Sequence, residues 1–237
     1  MSYTFVISNS GSRIDTEFNP PLELNLDKNY EMALVNLETY WSFPNINEKN
    51  NQFHFSDDKK KYGIKIPKGA YELRNINDYI QLQLEERSIK KHSITLAPNP
   101  NTLRCVMNIA PEFTVDFSGV NTIASILGFE NKIYPHGTHQ SENIVKIITI
   151  NSLLVHNNII GHSYINGSLN PVLYSFFPST GVGEKIIQEP KQRLYLPVTL
   201  KTISGMTTWL TDQDNQDIDL QNENLTIRLH IREQKSY

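Results

Sequence analysis

The sequence predicts an all-β protein: an antiparallel β-sandwich, built as a single jelly roll, with two short helices in inter-strand segments. Apolar and polar residues alternate with period two in roughly ten segments along the chain. Helical patterns do not alternate with these segments, as parallel βαβ units would require. The length of 237 residues suits one sandwich domain. We therefore expect a single jelly-roll domain over residues 1–237, with 233–237 as a short tail.

Several segments carry the alternation, and each predicts a strand with one buried face. The segment YEMALVNLETYW, 30–41, is apolar on both faces and predicts a central strand. Pro197 cannot donate to a sheet ladder, so its strand should lie at an edge or carry a bulge. Two further segments alternate with their neighbours, at Tyr3, Phe5 and Ile7 and at Leu22, Leu24 and Leu26. The residues expected to face the core are Leu194, Leu196, Val198 and Leu200 from one strand and Leu225, Ile227 and Leu229, which share one side with Ile231, from another.

Two segments have the period of an amphipathic helix. The first, 75–88, places Ile76, Ile80 and Leu84 on one face, with Asn75 as the expected N-cap. The second, 121–129, has Asn121 as the expected cap and Gly128 as the stop signal. Residues 210–234 predict a terminal hairpin, in which two alternating strands flank an acidic, amide-rich turn.

Composition describes a soluble globular chain and excludes several functional classes. The net charge of −3 does not indicate a strongly basic nucleic-acid surface. Cys105 is the single cysteine, so no intramolecular disulfide can form, and its strand position predicts a small buried hydrophobe. We expect no signal peptide and no membrane span, because no apolar run reaches the ~20 residues that cross a bilayer.

No segment has the residue pattern of a catalytic, cofactor or metal site. His136 and His139 lie in a polar loop, without the further ligands that zinc sites use. The acidic segment 212–219 lacks the glycine and glutamate of an EF-hand loop, and 179–185 lacks the spacing of a phosphate loop. We therefore predict no enzymatic activity, no cofactor and no metal.

Large aromatic side chains are concentrated in two turn-like stretches. Trp41 and Phe43 lie in the first, and Phe176 and Phe177 lie in the second. One interpretation is that they close the ends of the sandwich. The other is that they are buried against another subunit, because aromatic residues are enriched in interface cores. These four residues are the candidates for a subunit interface.

Six segments of the chain resemble, in the same order, the minor capsid or penton proteins of Polinton (Maverick) elements and their adintovirus relatives. They are FNPPLELNLDKNYEMALVNLETYWSFPNI, IPKGAYELRNINDYIQ, NTIASILGF, SYINGSLNPVLYSFFP, GEKIIQEPKQRLYLPV and the terminal segment 210–232. In that family the last turn often carries glycine where this chain has Asn215, and asparagine can adopt the same positive φ.

The resemblance implies a structural role. Proteins of this kind form homopentamers at the five-fold vertices of an icosahedral capsid whose faces consist of a double jelly-roll major capsid protein. The expected location is the virion, after synthesis in the host cytoplasm. A sandwich-type ligand- or carbohydrate-binding module is the alternative, and it would be a monomer or a trimer with a groove of exposed aromatics. An enzyme is the third possibility.

Overall fold

The computed structural model describes residues 2–161 and 163–234. Strands hold 49% of the residues and helices 8%, and the named strand pairs are antiparallel. This confirms the predicted all-β, antiparallel class. The chain divides into two compact units: unit 1 is 1–43 with 150–237, and unit 2 is 44–149. That the whole of residues 1–237 acts as one domain stays a prediction.

Unit 1 contains eight long strands and three short ones. They are β1 (Ser2–Ser10), β2 (Arg13–Glu23), β3 (Tyr30–Tyr40), β11 (Leu153–Asn157), β12 (Ser163–Ile165), β13 (Ser168–Asn170), β14 (Val172–Phe176), β15 (Lys185–Gln188), β16 (Leu196–Pro197), β17 (Thr202–Thr211) and β18 (Asn224–Glu233).

The eight main strands of unit 1 have the jelly-roll order. One sheet runs β1-β18-β3-β15, with β16 also paired to β3, and the other runs β14-β11-β17-β2. Counted along the chain, these are strands 1-8-3-6 and 5-4-7-2, which is the arrangement of two interlocked Greek keys. Unit 2 is inserted in the chain between the third and fourth of these strands.

The two sheets of unit 1 share one core. Leu225, Ile227, Leu229 and Ile231 of β18 are all fully buried, as the alternation predicted. They pack in the same cluster as Leu210 and other residues of the second sheet. Burying a side chain of this size contributes roughly 1.5–3 kcal/mol, so this face of β18 is a large part of what holds the sandwich together.

The expected terminal hairpin is wrong. β17 pairs with β11 and β2 in one sheet, and β18 pairs with β1 and β3 in the other. The connection 212–223 therefore crosses between the sheets. Both strands have the predicted alternation because each turns one face to the shared core, and that pattern is the same whether the strands pair or face one another.

The expected burial of Leu194 is also wrong. Only Leu196 and Pro197 form a strand there, at the edge beside β3, which confirms the edge position of Pro197. Leu194 is 58% exposed, Leu200 is exposed, and Leu196 and Val198 pack only partly against the core. Leu26 is also exposed, in the turn that follows β2. Sheet pairing with β3 here is limited to Leu196 and Pro197, so the alternation of 194–200 does not decide which of its side chains are buried.

Unit 2 has its own sheets and its own core. Its elements are β4 (Gln52–Ser56), β5 (Lys61–Lys65), α1 (Leu73–Glu86), β6 (Ile94–Asn99), β7 (Arg104–Ile109), β8 (Thr114–Asp116), α2 (Ala124–Leu127), β9 (Ile133–Tyr134) and β10 (Gly137–Ile144). One sheet runs β10-β7-β6 and the other β5-β4-β8-β9. The buried residues of both sheets and of both helices form one cluster.

The two helices exist where the sequence predicts them, with different starts. Ile76, Ile80 and Leu84 are buried as expected, but α1 begins at Leu73, and Asn75 instead accepts a hydrogen bond of 3.0 Å from the Glu72 amide. α2 begins after Ile123, so Asn121 is not its cap. Gly128 ends α2 at φ 82°, which confirms the predicted stop.

The end of the chain differs from the expected tail. Glu233 is the last residue of β18, and the amide of Gln234 donates to the Asn29 carbonyl at 2.8 Å. Residues 235–237 lie outside the described residues. Asn215 has φ 61°, as expected for the turn that replaces a family glycine.

Candidate subunit interface

The sandwich of unit 1 has two flanks, where the edge strands of its sheets lie side by side. We call β1 with β2 the first flank, and β14, β15 and residues 189–195 the second flank. Phe5 and Phe18 close the first flank with an edge-to-face contact whose ring centroids are 5.5 Å apart. On the second flank, the Gln188 amide donates to the Tyr174 hydroxyl at 3.3 Å.

Three of the four predicted interface aromatics are buried inside unit 1. Trp41, Phe43 and Phe176 belong to its core, and the rings of Trp41 and Phe43 lie 5.8 Å apart. Their burial agrees with the interpretation that these aromatic side chains close the sandwich. Phe177 is 54% exposed, directly after β14. Whether any of the four contacts another subunit stays a prediction.

The second flank carries exposed apolar side chains that the sequence analysis did not select. Ile187 of β15 is 58% exposed, Leu194 is exposed and Tyr174 is half-buried. Tyr164, on the neighbouring strand β12, is exposed too. A cavity of about 670 Å³ opens here, lined by Tyr174, Ile187, Gln188, Glu189, Lys191, Gln192 and Leu194. A second cavity of about 250 Å³ shares Tyr174 and Leu194 with it. In the sequence, the run Ile186–Ile187 indicates an exposed apolar residue. Adjacent residues of a strand point to opposite faces, so only one of the two can face the core.

The first flank is different in character. β1 has no charged residue, and Val6 on it is 60% exposed. β2 carries Asp15 and Glu17, both exposed. Asp15 accepts hydrogen bonds from Thr207 at 2.6 Å and from Arg13 at 3.2 Å, and these bonds hold the pKa of its carboxyl below the usual value. This carboxylate is therefore charged at neutral pH.

On the outer face of the first sheet, four side chains from three elements form one network. Arg232 of β18 donates to Glu31 of β3 at 2.7 Å, and its guanidinium carbon lies 3.5 Å from the ring centroid of Tyr195. The Tyr195 hydroxyl and His230 Nδ1 are 2.9 Å apart. Burial, and then the neighbouring cations, lower the pKa of His230. Each group is held by another, so the network is framework rather than a reactive centre.

The histidines and the cysteine discussed above lie in different surroundings. His139 stacks edge-on against Tyr134 at 5.3 Å, and His136 is exposed. Cys105 is fully buried, which confirms the predicted position, and burial raises the pKa of its thiol to about 12. Across the described parts of the chain, no three His, Cys, Asp or Glu side chains are grouped as metal ligands.

The acidic segments act as turn chemistry. Asp212 Oδ1 accepts hydrogen bonds from the amides of Asp214 at 2.9 Å and Gln216 at 2.8 Å. Asp57 does the same for Lys59 and Lys60 between β4 and β5. These carboxylates satisfy backbone donors of loops, as Asx turns do.

No helix among the described residues is long and apolar enough to cross a membrane. A comparison with protein-family models finds no match, and a comparison with curated proteins finds none either. Solved structures do match. The crystal structure of the mavirus penton protein aligns with a TM-score of 0.51 and 10% sequence identity, over 99% of this chain and 100% of that chain.

The cryo-EM structure of the Sputnik virophage aligns with a TM-score of 0.43 and 12% identity, over 97% of each chain. The jelly-roll order of unit 1 and the alignment with the mavirus protein agree with the likeness expected from the sequence. That likeness is therefore confirmed at the level of the fold: the chain has the fold of the mavirus penton protein along nearly its whole length.

Proposed function

We propose that the protein is a structural minor capsid protein, a penton that forms homopentamers at the five-fold vertices of an icosahedral virus-like capsid. The observation that carries the proposal is the shared fold with the mavirus penton protein, which spans 99% of this chain. The ordered series of sequence segments that resemble Polinton pentons supports it independently.

The shape of unit 1 suits a ring. In a cyclic oligomer every contact is heterologous, so one flank of each subunit meets the opposite flank of the next. A jelly roll offers two such flanks, because each of its two sheets ends in an edge strand on either side. The partner beyond the ring is the double jelly-roll major capsid protein, and the protein acts in the virion without enzymatic activity, after synthesis in the host cytoplasm.

The test is electron microscopy of particles assembled from this protein and the major capsid protein encoded with it. We expect density for this chain, repeated five times, at each five-fold vertex. Vertices that lack it would overturn the proposal. Light scattering of the purified chain adds the oligomeric state: the alternative, a ligand-binding sandwich, would be a monomer or trimer that never enters particles.

A further inference from the structure

β1 is an edge strand without the usual protection. Edge strands expose unpaired N–H and C=O groups, and proteins normally guard them with charges, prolines or bulges. β1, Ser2–Ser10, has no charged residue and no proline. It pairs with β18 without interruption from Ser2 to Ser10, so no bulge turns its edge away. Among the described strands, β18 is its one partner in the sheet.

The neighbouring edge strand, β2, has the protective features that β1 lacks. β2 carries Arg13, Asp15 and Glu17, it contains Pro20 and Pro21, and its register with β17 shifts. The two strands lie on one flank, yet only β1 is left smooth and uncharged. An unprotected edge strand of nine residues offers its free N–H and C=O groups for pairing with another chain.

The second flank has the matching properties. Its edge strand β14 is also uncharged, and Ile187, Leu194 and Phe177 expose apolar surface around it. The charges beside these apolar centres are complementary. Residues 2–23 hold one arginine and three carboxylates, a net charge of −2, whereas residues 185–196 hold three cations and one carboxylate, a net charge of +2. Opposite charges around an apolar centre select the partner and the register of an interface.

We propose that the first flank, centred on β1, docks against the second flank of another copy of this chain. The contact is head-to-tail, so an open row of copies has one free flank of each kind, at its two ends, until a ring closes. That the ring has five subunits rests on the function proposed above. The choice of the two flanks as the contacting surfaces does not depend on it. The occupant of the β1 edge is therefore a second copy.

Cross-linking traps this contact even where the ring is weak. Val6 and Ile187 are 60% and 58% exposed and lie on opposite flanks, and Ile133, on the edge strand β9 of unit 2, is 59% exposed. The test variant is Val6→Cys with Ile187→Cys, and the matched control is Val6→Cys with Ile133→Cys. Both are treated with a flexible bis-maleimide at high protein concentration. The native Cys105 is buried and does not compete.

We expect the test variant to give a ladder of covalent oligomers that stops at five, while the control gives little beyond monomer and dimer. A mixture of the two single variants, Val6→Cys and Ile187→Cys, should give heterodimers only. If the test variant gives no more covalent oligomers than the control, the proposed contact between the two flanks is overturned. A strong ladder that stops at another number of subunits would support the contact between the two flanks and overturn the pentamer.

A second experiment tests the direction of the contact without cross-linking. Val6→Lys places a positive charge on the acidic first flank, which meets the basic flank of the next copy, and Ile187→Glu places a negative charge on the basic second flank, which meets the acidic flank. Both variants should be excluded from assembled particles, whereas Ile133→Lys and Ile133→Glu should enter them normally. In a one-to-one mixture, the intact second flank of one variant can still meet the intact first flank of the other. The mixture should therefore form dimers but no rings. Normal incorporation of both Val6→Lys and Ile187→Glu, each shown by circular dichroism to be folded, would overturn the proposal.

Discussion

The imidazole of His156 lies flat against the indole of Trp209, with ring centroids 4.9 Å apart and an angle of 10° between the planes. The two residues are cross-strand partners in β11 and β17. His156 Nε2 is 2.8 Å from the Thr211 hydroxyl, and its Nδ1 has no hydrogen-bond partner among the described residues, although the side chain is buried. Burial lowers the pKa of His156 to about 4, and Asp217 opposes this more weakly.

This stack predicts a loss of stability in mild acid. The unfolded chain binds the proton near the ordinary value of 6.5 and the folded chain near 4, so protonation favours unfolding as the pH falls between those values. At about pH 5 the loss should be roughly 2 kcal/mol relative to neutral pH. Urea unfolding of the wild type and of His156→Gln at both pH values measures it. Equal losses in the two proteins would contradict the prediction, because His230 titrates in both.

Leu229→Ala should destabilise the sandwich by about 2–5 kcal/mol, because it removes a fully buried side chain and leaves a cavity in the shared core. Leu194→Ala removes the same atoms from an exposed position, so its effect should stay within about 0.5 kcal/mol. Denaturant unfolding of the two variants compares them directly. Similar costs at both positions would show that the inward and outward faces are assigned wrongly.

Gly128→Ala and Gly167→Ala separate backbone strain from steric overlap. Both glycines have φ 82°, but a Cβ at Gly167 meets no atom of the described residues within 4 Å, whereas one at Gly128 collides with the backbone carbonyl of Asn143. The left-handed conformation alone should cost Gly167→Ala about 1–2 kcal/mol. Gly128→Ala should cost clearly more, and thermal unfolding by circular dichroism ranks the two. An equal cost would mean that the chain near Asn143 moves aside freely.

Cys105 should be inert in the folded protein. Its thiol is fully buried, and the raised pKa of about 12 leaves almost no thiolate at neutral pH. A chromogenic disulfide reagent should therefore label nothing in native buffer and one thiol per chain in urea. Val6→Cys, with its thiol on the exposed edge strand, is the positive control. Rapid native labelling of the wild type would show that the core around Cys105 opens readily.

The sequence alone predicts little of the exposed apolar surface on the two flanks. Aromatic content made Trp41, Phe43 and Phe176 candidates for a subunit interface, but all three are buried in the core of unit 1. Val6 is an ordinary aliphatic residue in an alternating strand, and the run Ile186–Ile187 shows only that one of its two side chains faces away from the core. The exposure of Ile187 and Val6 follows from the place of β15 and β1 at the edges of a sheet, which is a property of strand order.

Local pattern was sufficient wherever one element's own geometry decides the outcome. The all-β class, the buried face of β18 and the buried stripe of α1 follow from side-chain periods of two and 3.6, which the backbone imposes on every strand and helix. The stop at Gly128 and the positive φ of Asn215 follow from the backbone freedom of those residue types.

Only the tertiary structure decided what covers each apolar face. It placed β17 and β18 in different sheets, although their patterns fit a hairpin equally well, and it separated residues 44–149 as a unit with its own core. The physical reason is that a period shows which face of a strand must leave water, while the surface that receives it comes from strands far away in the chain.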